Sequence, residues 1–133
     1  MKTLITVLLL LASGVAHAEQ WLCVADSAVG FYPQQGNQWE PVTFKTDNSR
    51  YVIKRPDGDG WDWTFGVYEF GTDSILYTCK TSLSDFRRTQ TLECGRSWDT
   101  FIFHRDLLKY VSAYSMMSSG DAPSLEIGTC SSL

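Results

Sequence analysis

The chain has almost no histidine. Beyond position 17, His104 stands alone, so any Ser-His-Asp or Cys-His constellation has to be built on that one imidazole. The nucleophile-elbow pattern GxSxG is absent: Gly95-Arg96-Ser97-Trp98-Asp99 carries Asp where the last glycine belongs. His104-Arg105-Asp106-Leu107 imitates a kinase catalytic-loop string, but Val111 stands where asparagine is needed, and 133 residues are far too few for a kinase. The string reads as a polar hairpin turn with His104 at the surface. Close cysteine pairs are missing too. Cys23, Cys79, Cys94 and Cys130 are 56, 15 and 36 residues apart, a spacing that suits no zinc site. Asp57-Gly58-Asp59-Gly60-Trp61-Asp62 looks like a calcium loop. With Gly60 as its sixth position, however, the first and last ligands fall on Arg55 and Gly66, which cannot coordinate calcium. That stretch reads as a β-turn. No catalytic residue, metal or cofactor is expected.

Positive charge is also sparse. Lysine and arginine total 11 against 15 acids, and the only basic doublets are Lys54-Arg55 and Arg87-Arg88. Nucleic-acid binding draws on clustered cations, so no such partner is expected. No apolar run approaches the roughly 20 residues that span a bilayer, so no membrane anchor is expected either. The longest run, Leu4 to Ala12, follows Lys2 and precedes Ala16-His17-Ala18. This order of positive, apolar and small-x-small segments predicts a signal peptide over 1–18; a buried N-terminal helix is the alternative. Cleavage would start the mature chain at Glu19. Loss of Lys2 takes the formal charge from −4 to −5. Residues 19–133 show no repeat, linker or low-complexity tract and make one domain's worth of chain.

Aromatic residues are plentiful. All 18 lie in 19–133, and each buried ring removes about 150–250 Å² from water. Turn-forming clusters recur at short intervals, between runs rich in aromatic and β-branched residues. That rhythm predicts an all-β fold, a small antiparallel meander or closed barrel of about eight strands, because closure removes exposed edges. Trp61, Trp63, Phe65 and Val67 alternate with polar or small residues and predict one strand with an apolar face, with the two tryptophans in the core rather than forming a sugar-stacking platform. Tyr51 and Ile53, Val42 and Phe44, and Leu125 and Ile127 alternate in the same way. Phe101–Phe103 and Leu108–Tyr110 predict two strands around the His104–Leu107 turn. Leu107 to Met117 reads as strand over helix, because Tyr110, Val111 and Tyr114 favour β structure.

An even cysteine count in an exported domain predicts two disulfides. Closure makes the first and last strands neighbours, which pairs Cys23 with Cys130. Alternation places both on the face opposite the apolar one. Cys79 and Cys94 then bracket a polar connection from Lys80 to Glu93.

Trp21, Cys23, Ala25, Asp26, Gly30 and Phe31, then Trp39 and Phe44, then Tyr51, Lys54, Arg55 and Pro56, and finally Ile127, Gly128 and Cys130 form a pattern that resembles a group of short, exported, uncharacterised bacterial proteins. The resemblance covers both ends of 19–133 and is weak between Gly71 and Trp98. It implies a periplasmic or extracellular location in bacteria and brings no activity with it. In size and strand rhythm the chain is loosely similar to small periplasmic β-barrel inhibitors of lysozyme, a likeness of fold alone.

With catalytic groups lacking, the expectation is a non-enzymatic exported binding or inhibitory module, with an unknown protein, glycan or small ligand as partner. A small carboxylate-dependent hydrolase and a structural accessory of the cell envelope are the alternatives. The loops expected to bind are Pro33–Asn37, Pro56–Gly60 and Ser118–Pro123, the last beside Met116-Met117, which offer an adaptable contact.

Overall fold

The computed structural model describes residues 19–36, 38–115 and 122–133; the expected signal peptide lies outside them. Among the described residues nine strands form one antiparallel sheet: β1 (Trp21–Gln34), β2 (Gln38–Phe44), β3 (Arg50–Lys54), β4 (Phe65–Glu69), β5 (Ile75–Cys79), β6 (Thr91–Arg96), β7 (Asp99–His104), β8 (Lys109–Tyr114) and β9 (Ser124–Ser132). The order is β2-β1-β3-β4-β5-β6-β7-β8-β9, and β1 also pairs with β9. Eight strands therefore close a barrel and β2 lies outside it.

β1 has two partners along one edge. Trp21–Val24 pairs with β3, and Ala28–Gln34 pairs with β2. A bulge at Asp26, opposite β9, marks the change of partner. A bulge bends a strand and re-aims its continuation. The continuation of β1 is a hairpin leading away from the barrel.

The interior is filled by rings in two layers. In the first, Trp21 lies 5.9 Å from Phe65, 6.0 Å from Phe86 and 5.1 Å from Phe103. In the second, Phe101 stacks on Tyr110 at 4.7 Å, with Tyr51 and Tyr77 against Phe101. Some inward positions are small because of this filling. A Cβ on Gly128 would run into the Tyr110 ring and the Val24 carbonyl, so only glycine fits there.

The polar connection expected from Lys80 to Glu93 contains a helix, α1 (Leu83–Thr89). Ser82 caps it by accepting from the Asp85 N–H at 3.1 Å, and Gln90 ends it in the left-handed region at φ 60°. Seven residues cannot hold a helix alone. Its one buried side chain, Phe86, docks on Trp21 and Phe65 and stops that end of the barrel.

The disulfides are Cys23–Cys130 and Cys79–Cys94, the expected pairs. Their expected facing is corrected. All four cysteines lie inside, at most 4 % exposed, while Leu125 and Ile127 point outward and Glu126 and Gly128 point in. The first bridge fastens the β1–β9 closure. The second fastens β5 to β6, whose ladder has only two residue pairs.

Two further expectations change. The strand expected over Trp61–Val67 begins only at Phe65, and neither tryptophan is core: Trp61 is 56 % exposed and Trp63 is only half-buried. Within Leu107 to Met117 the strand runs over Lys109–Tyr114, after a turn that includes Leu107 and Leu108; Met116 and Met117 lie outside the described residues.

Candidate binding surface

The three loops expected to bind do not share one end of the barrel. Pro33–Gly36 forms the tip of the β1–β2 hairpin, with Asn37 outside the described residues. Pro123 is at that same end, where its carbonyl accepts from the Phe31 N–H at 3.0 Å; Ser118–Asp121 lie outside the described residues. Pro56–Gly60 comes after β3 at the other end of the barrel, the end that also carries α1.

Register shows how far the hairpin extends. The β1–β9 ladder stops at Gly30 opposite Ser124, whereas the β1–β2 ladder continues to Gln34 opposite Gln38. At about 3.3 Å per residue, the hairpin stands roughly 13 Å clear of its barrel neighbour. Its two faces differ. On one, Tyr32 packs edge-on to Phe44 at 5.9 Å and Gln34 donates to Glu40 at 2.6 Å. A Cβ on Gly30 would meet the Phe44 ring at 2.7 Å, so glycine lets that ring lie close to the strand. On the other face, Val29, Phe31 and Pro33 stand opposite Thr43, Pro41 and Trp39. Val29, Phe31 and Trp39 are 47 %, 50 % and 46 % exposed. A shallow groove runs among Val29, Phe31, Pro41 and Thr43.

The apolar face continues onto the barrel wall. Leu125 lies opposite Val29. Ile102, Val111 and Ile127 line up across β7, β8 and β9, and all three point outward. The next row holds Lys109, which donates to Thr129 at 2.5 Å and lies 3.7 Å from Asp26, and this polar row bounds the patch.

Among the described residues, the titratable groups that come together do so as follows. The nearest approach to a reactive cluster is inside the barrel, away from α1. Tyr51 and Tyr110 both donate to Glu126 Oε1, at 2.9 and 2.8 Å, and Tyr77 lies 3.3 Å from Ser112 Oγ. Burial first, then the Glu126 charge, pushes the Tyr51 hydroxyl well above its ordinary pKa. Burial, then the hydrogen bond to Glu126, does the same to Tyr110. Phenols held neutral and already donating to a carboxylate are poor bases and nucleophiles at neutral pH. Burial also raises Asp99, whose Oδ1 is buried without a partner. His104 sits at the β7–β8 turn, where Nδ1 accepts from the Leu107 N–H at 3.3 Å. Among the described residues, that is the side-chain hydrogen bond His104 makes. Among the described residues no group of His, Cys, Asp and Glu is placed to hold a metal ion.

Sequence reading found the hairpin tip through Pro33–Asn37 but missed the exposed ridge of Phe31, Trp39 and Leu125, because apolar alternation says nothing about which face is buried. Nothing in the sequence marks Glu126 as the acceptor for two tyrosines. Comparison with protein-family models, with curated proteins and with solved structures finds no match to this chain.

Proposed function

We propose that this chain is an exported, non-catalytic module of the bacterial periplasm or exterior that binds another protein through the β1–β2 hairpin. The observation carrying this reading is the projecting apolar face of Val29, Phe31 and Trp39, each close to half exposed. Water-exposed apolar area on this scale marks interaction sites. Aromatic rings offer about 150–250 Å² each. Covering the exposed half of Phe31 or Trp39 therefore removes about 100 Å², worth roughly 2.5 kcal/mol at 25 cal/mol per Å². A rigid barrel with two bridges presents the hairpin with little ordering cost. The partner this shape suits has a cleft wide enough for two strands; where that cleft is an active site, the module inhibits. Two buried disulfides, and the lack of any helix long and apolar enough to cross a membrane among the described residues, are compatible with export.

The test uses purified protein from Glu19 onward. Lysozymes are the first probes, a choice that rests only on the loose resemblance in size and strand rhythm drawn from the sequence, and proteins purified after capture from a periplasmic extract are the second. The double variant Phe31→Ser/Trp39→Ser should keep the wild-type melting temperature and bind at least tenfold more weakly. Binding that ignores this change overturns the proposal. So does turnover of an ester, peptide or cell-wall glycan that is abolished by Glu126→Gln or His104→Ala.

A further inference from the structure

We propose a second binding site, for uncharged carbohydrate, on the loop between β3 and β4 and the adjoining outer wall, with the Trp61 and Trp63 rings as its floor and Lys54, seated over Tyr68, at its rim.

The rings are held rather than loose. Trp61 Nε1 donates to the Asp57 carbonyl at 2.9 Å, which closes the loop through Gly58 and Gly60 at φ 80° and 93°. Its ring lies 5.1 Å from that of Trp63. Trp63 in turn rests against β4 at Gly66, where a Cβ would come within 3.0 Å of Trp63 and 2.8 Å of Tyr68. The missing side chain lets both rings settle on the sheet. The Trp61 ring is pinned by its N–H and still 56 % exposed, an arrangement with no evident value to the core.

The rim decides the ligand class. Lys54 Nζ sits 4.7 Å over the Tyr68 ring, so the seat a cationic ligand would take is occupied and guarded by like charge. The charges of Asp57 and Asp73 add to the rise that burial causes in the Tyr68 hydroxyl pKa. Asp59 and Asp62 are exposed in the same loop. Ammonium donors and carboxylate acceptors thus flank one aromatic floor. Sugar hydroxyls both donate and accept, and the C–H face of a pyranose offers apolar area to an indole. A neutral sugar matches all of these groups; the aspartates disfavour an anion, and Lys54 already fills the Tyr68 face that a cation would take. The floor is open rather than enclosed, which suits a ligand that lies along a surface.

The site is independent of the hairpin and stands or falls separately. The experiment titrates the ¹⁵N-labelled chain from Glu19 onward with chitotetraose, cellotetraose and xylotetraose, monitoring the indole N–H signals. A parallel titration uses tetramethylammonium. At least one tetrasaccharide should move the Trp61 and Trp63 signals saturably, with a Kd on the order of millimolar or tighter. Trp61→Ala should weaken it at least tenfold, Trp61→Phe less, and Trp39→Ala not at all. No shift with any of the three sugars to about 10 mM, a shift unchanged in Trp61→Ala, or a response to tetramethylammonium alone overturns the proposal.

Discussion

Glu126→Ala tests whether the barrel end remote from α1 is sealed by hydrogen bonds or wet. Glu126 Oε1 accepts from Tyr110 at 2.8 Å and from Tyr51 at 2.9 Å. Bonds to a charged group contribute about 1.5–3 kcal/mol each, and a buried donor left without a partner costs about 1–3 kcal/mol. The two tyrosines are not equivalent. Tyr110 is 1 % exposed, so its hydroxyl stays unsatisfied and accounts for about 2 kcal/mol of the loss. Tyr51 is half-buried, regains water, and adds about 1 kcal/mol. The expected cost is therefore about 3 kcal/mol in urea unfolding, monitored by tryptophan fluorescence with disulfides intact. Tyr110→Phe alone should cost about 1–2 kcal/mol, because Glu126 keeps Tyr51 as a donor. In the double variant the orphan hydroxyl is gone. The double should then cost less than the summed singles, with a coupling energy of about 1–2 kcal/mol. A cost below about 0.5 kcal/mol for Glu126→Ala, or additivity within that margin, would refute the sealed end.

Alkaline pH should weaken the fold. Tyr51, Tyr77 and Tyr110 are all raised above the ordinary value of 10.0 by burial, with Glu126 adding to each. Above pH 10 the unfolded chain releases phenol protons that the folded chain keeps, so stability is full below pH 10 and falls above it. Tyr110 alone contributes a slope of about −1.4 kcal/mol per pH unit. Rapid urea unfolding at pH 9, 10 and 11 measures this, and Tyr110→Phe should flatten the slope; a flat wild-type profile would contradict the buried-phenol account. The disulfides should rank by loop size. Cys23–Cys130 closes 107 residues and Cys79–Cys94 closes 15, so paired alanine substitutions should cost about 4.7 and 3 kcal/mol by loop entropy. Guanidinium midpoints compare them, and equal or reversed losses would show that contacts around the bridges outweigh the entropy.

Much of the fold was legible because closure leaves few choices. Turn clusters separated the strands, and closing β1 onto β9 removes the edges of the eight barrel strands. The Cys23–Cys130 pairing followed from closure and from both cysteines sharing a face; they do share one, but it is the inner face, so the pairing is correct although the facing was inverted. Alternation in β9 is genuine, but both of its faces carry contacts. Glu126 and Gly128 take the inner positions because Tyr51 and Tyr110 already fill the space and one carboxylate must serve two hydroxyls. Leu125 and Ile127 are left outside. Trp61 and Trp63 continue the period of Phe65 and Val67 by sequence, yet Gly58 and Gly60 turn the chain at positive φ and the strand starts later. Helix α1 is short, and its one apolar anchor, Phe86, finds partners from Trp21 and Phe65 that no local window contains. Likewise the reach of the hairpin depends on where β9 stops along β1, a long-range fact.

The way β2 ends the sheet also bears on how a partner docks. Among the described residues β2 pairs only with β1, so its outer edge is free. Such an edge normally invites strand addition. Here Phe31 and Pro41 are opposite residues, and the Phe31 N–H is directed to Pro123 on the far side. Opposite residues in an antiparallel pair either exchange both bonds or neither. Proline has no N–H to give, so this is a pair without exchanged bonds, and the Pro41 nitrogen faces the free edge. An incoming strand would find a donor missing at the middle of β2, between Trp39 and Thr43, which blunts the edge. The side chains of the same segment meet no such obstacle: Phe31, Pro41 and Trp39 stand on one exposed face. A partner therefore gains more by covering that face than by extending the sheet. Pro41→Thr separates the two modes, since it restores the missing donor and leaves the aromatic face in place. It should raise concentration-dependent self-association, read by sedimentation velocity, while leaving recognition through Phe31 and Trp39 intact.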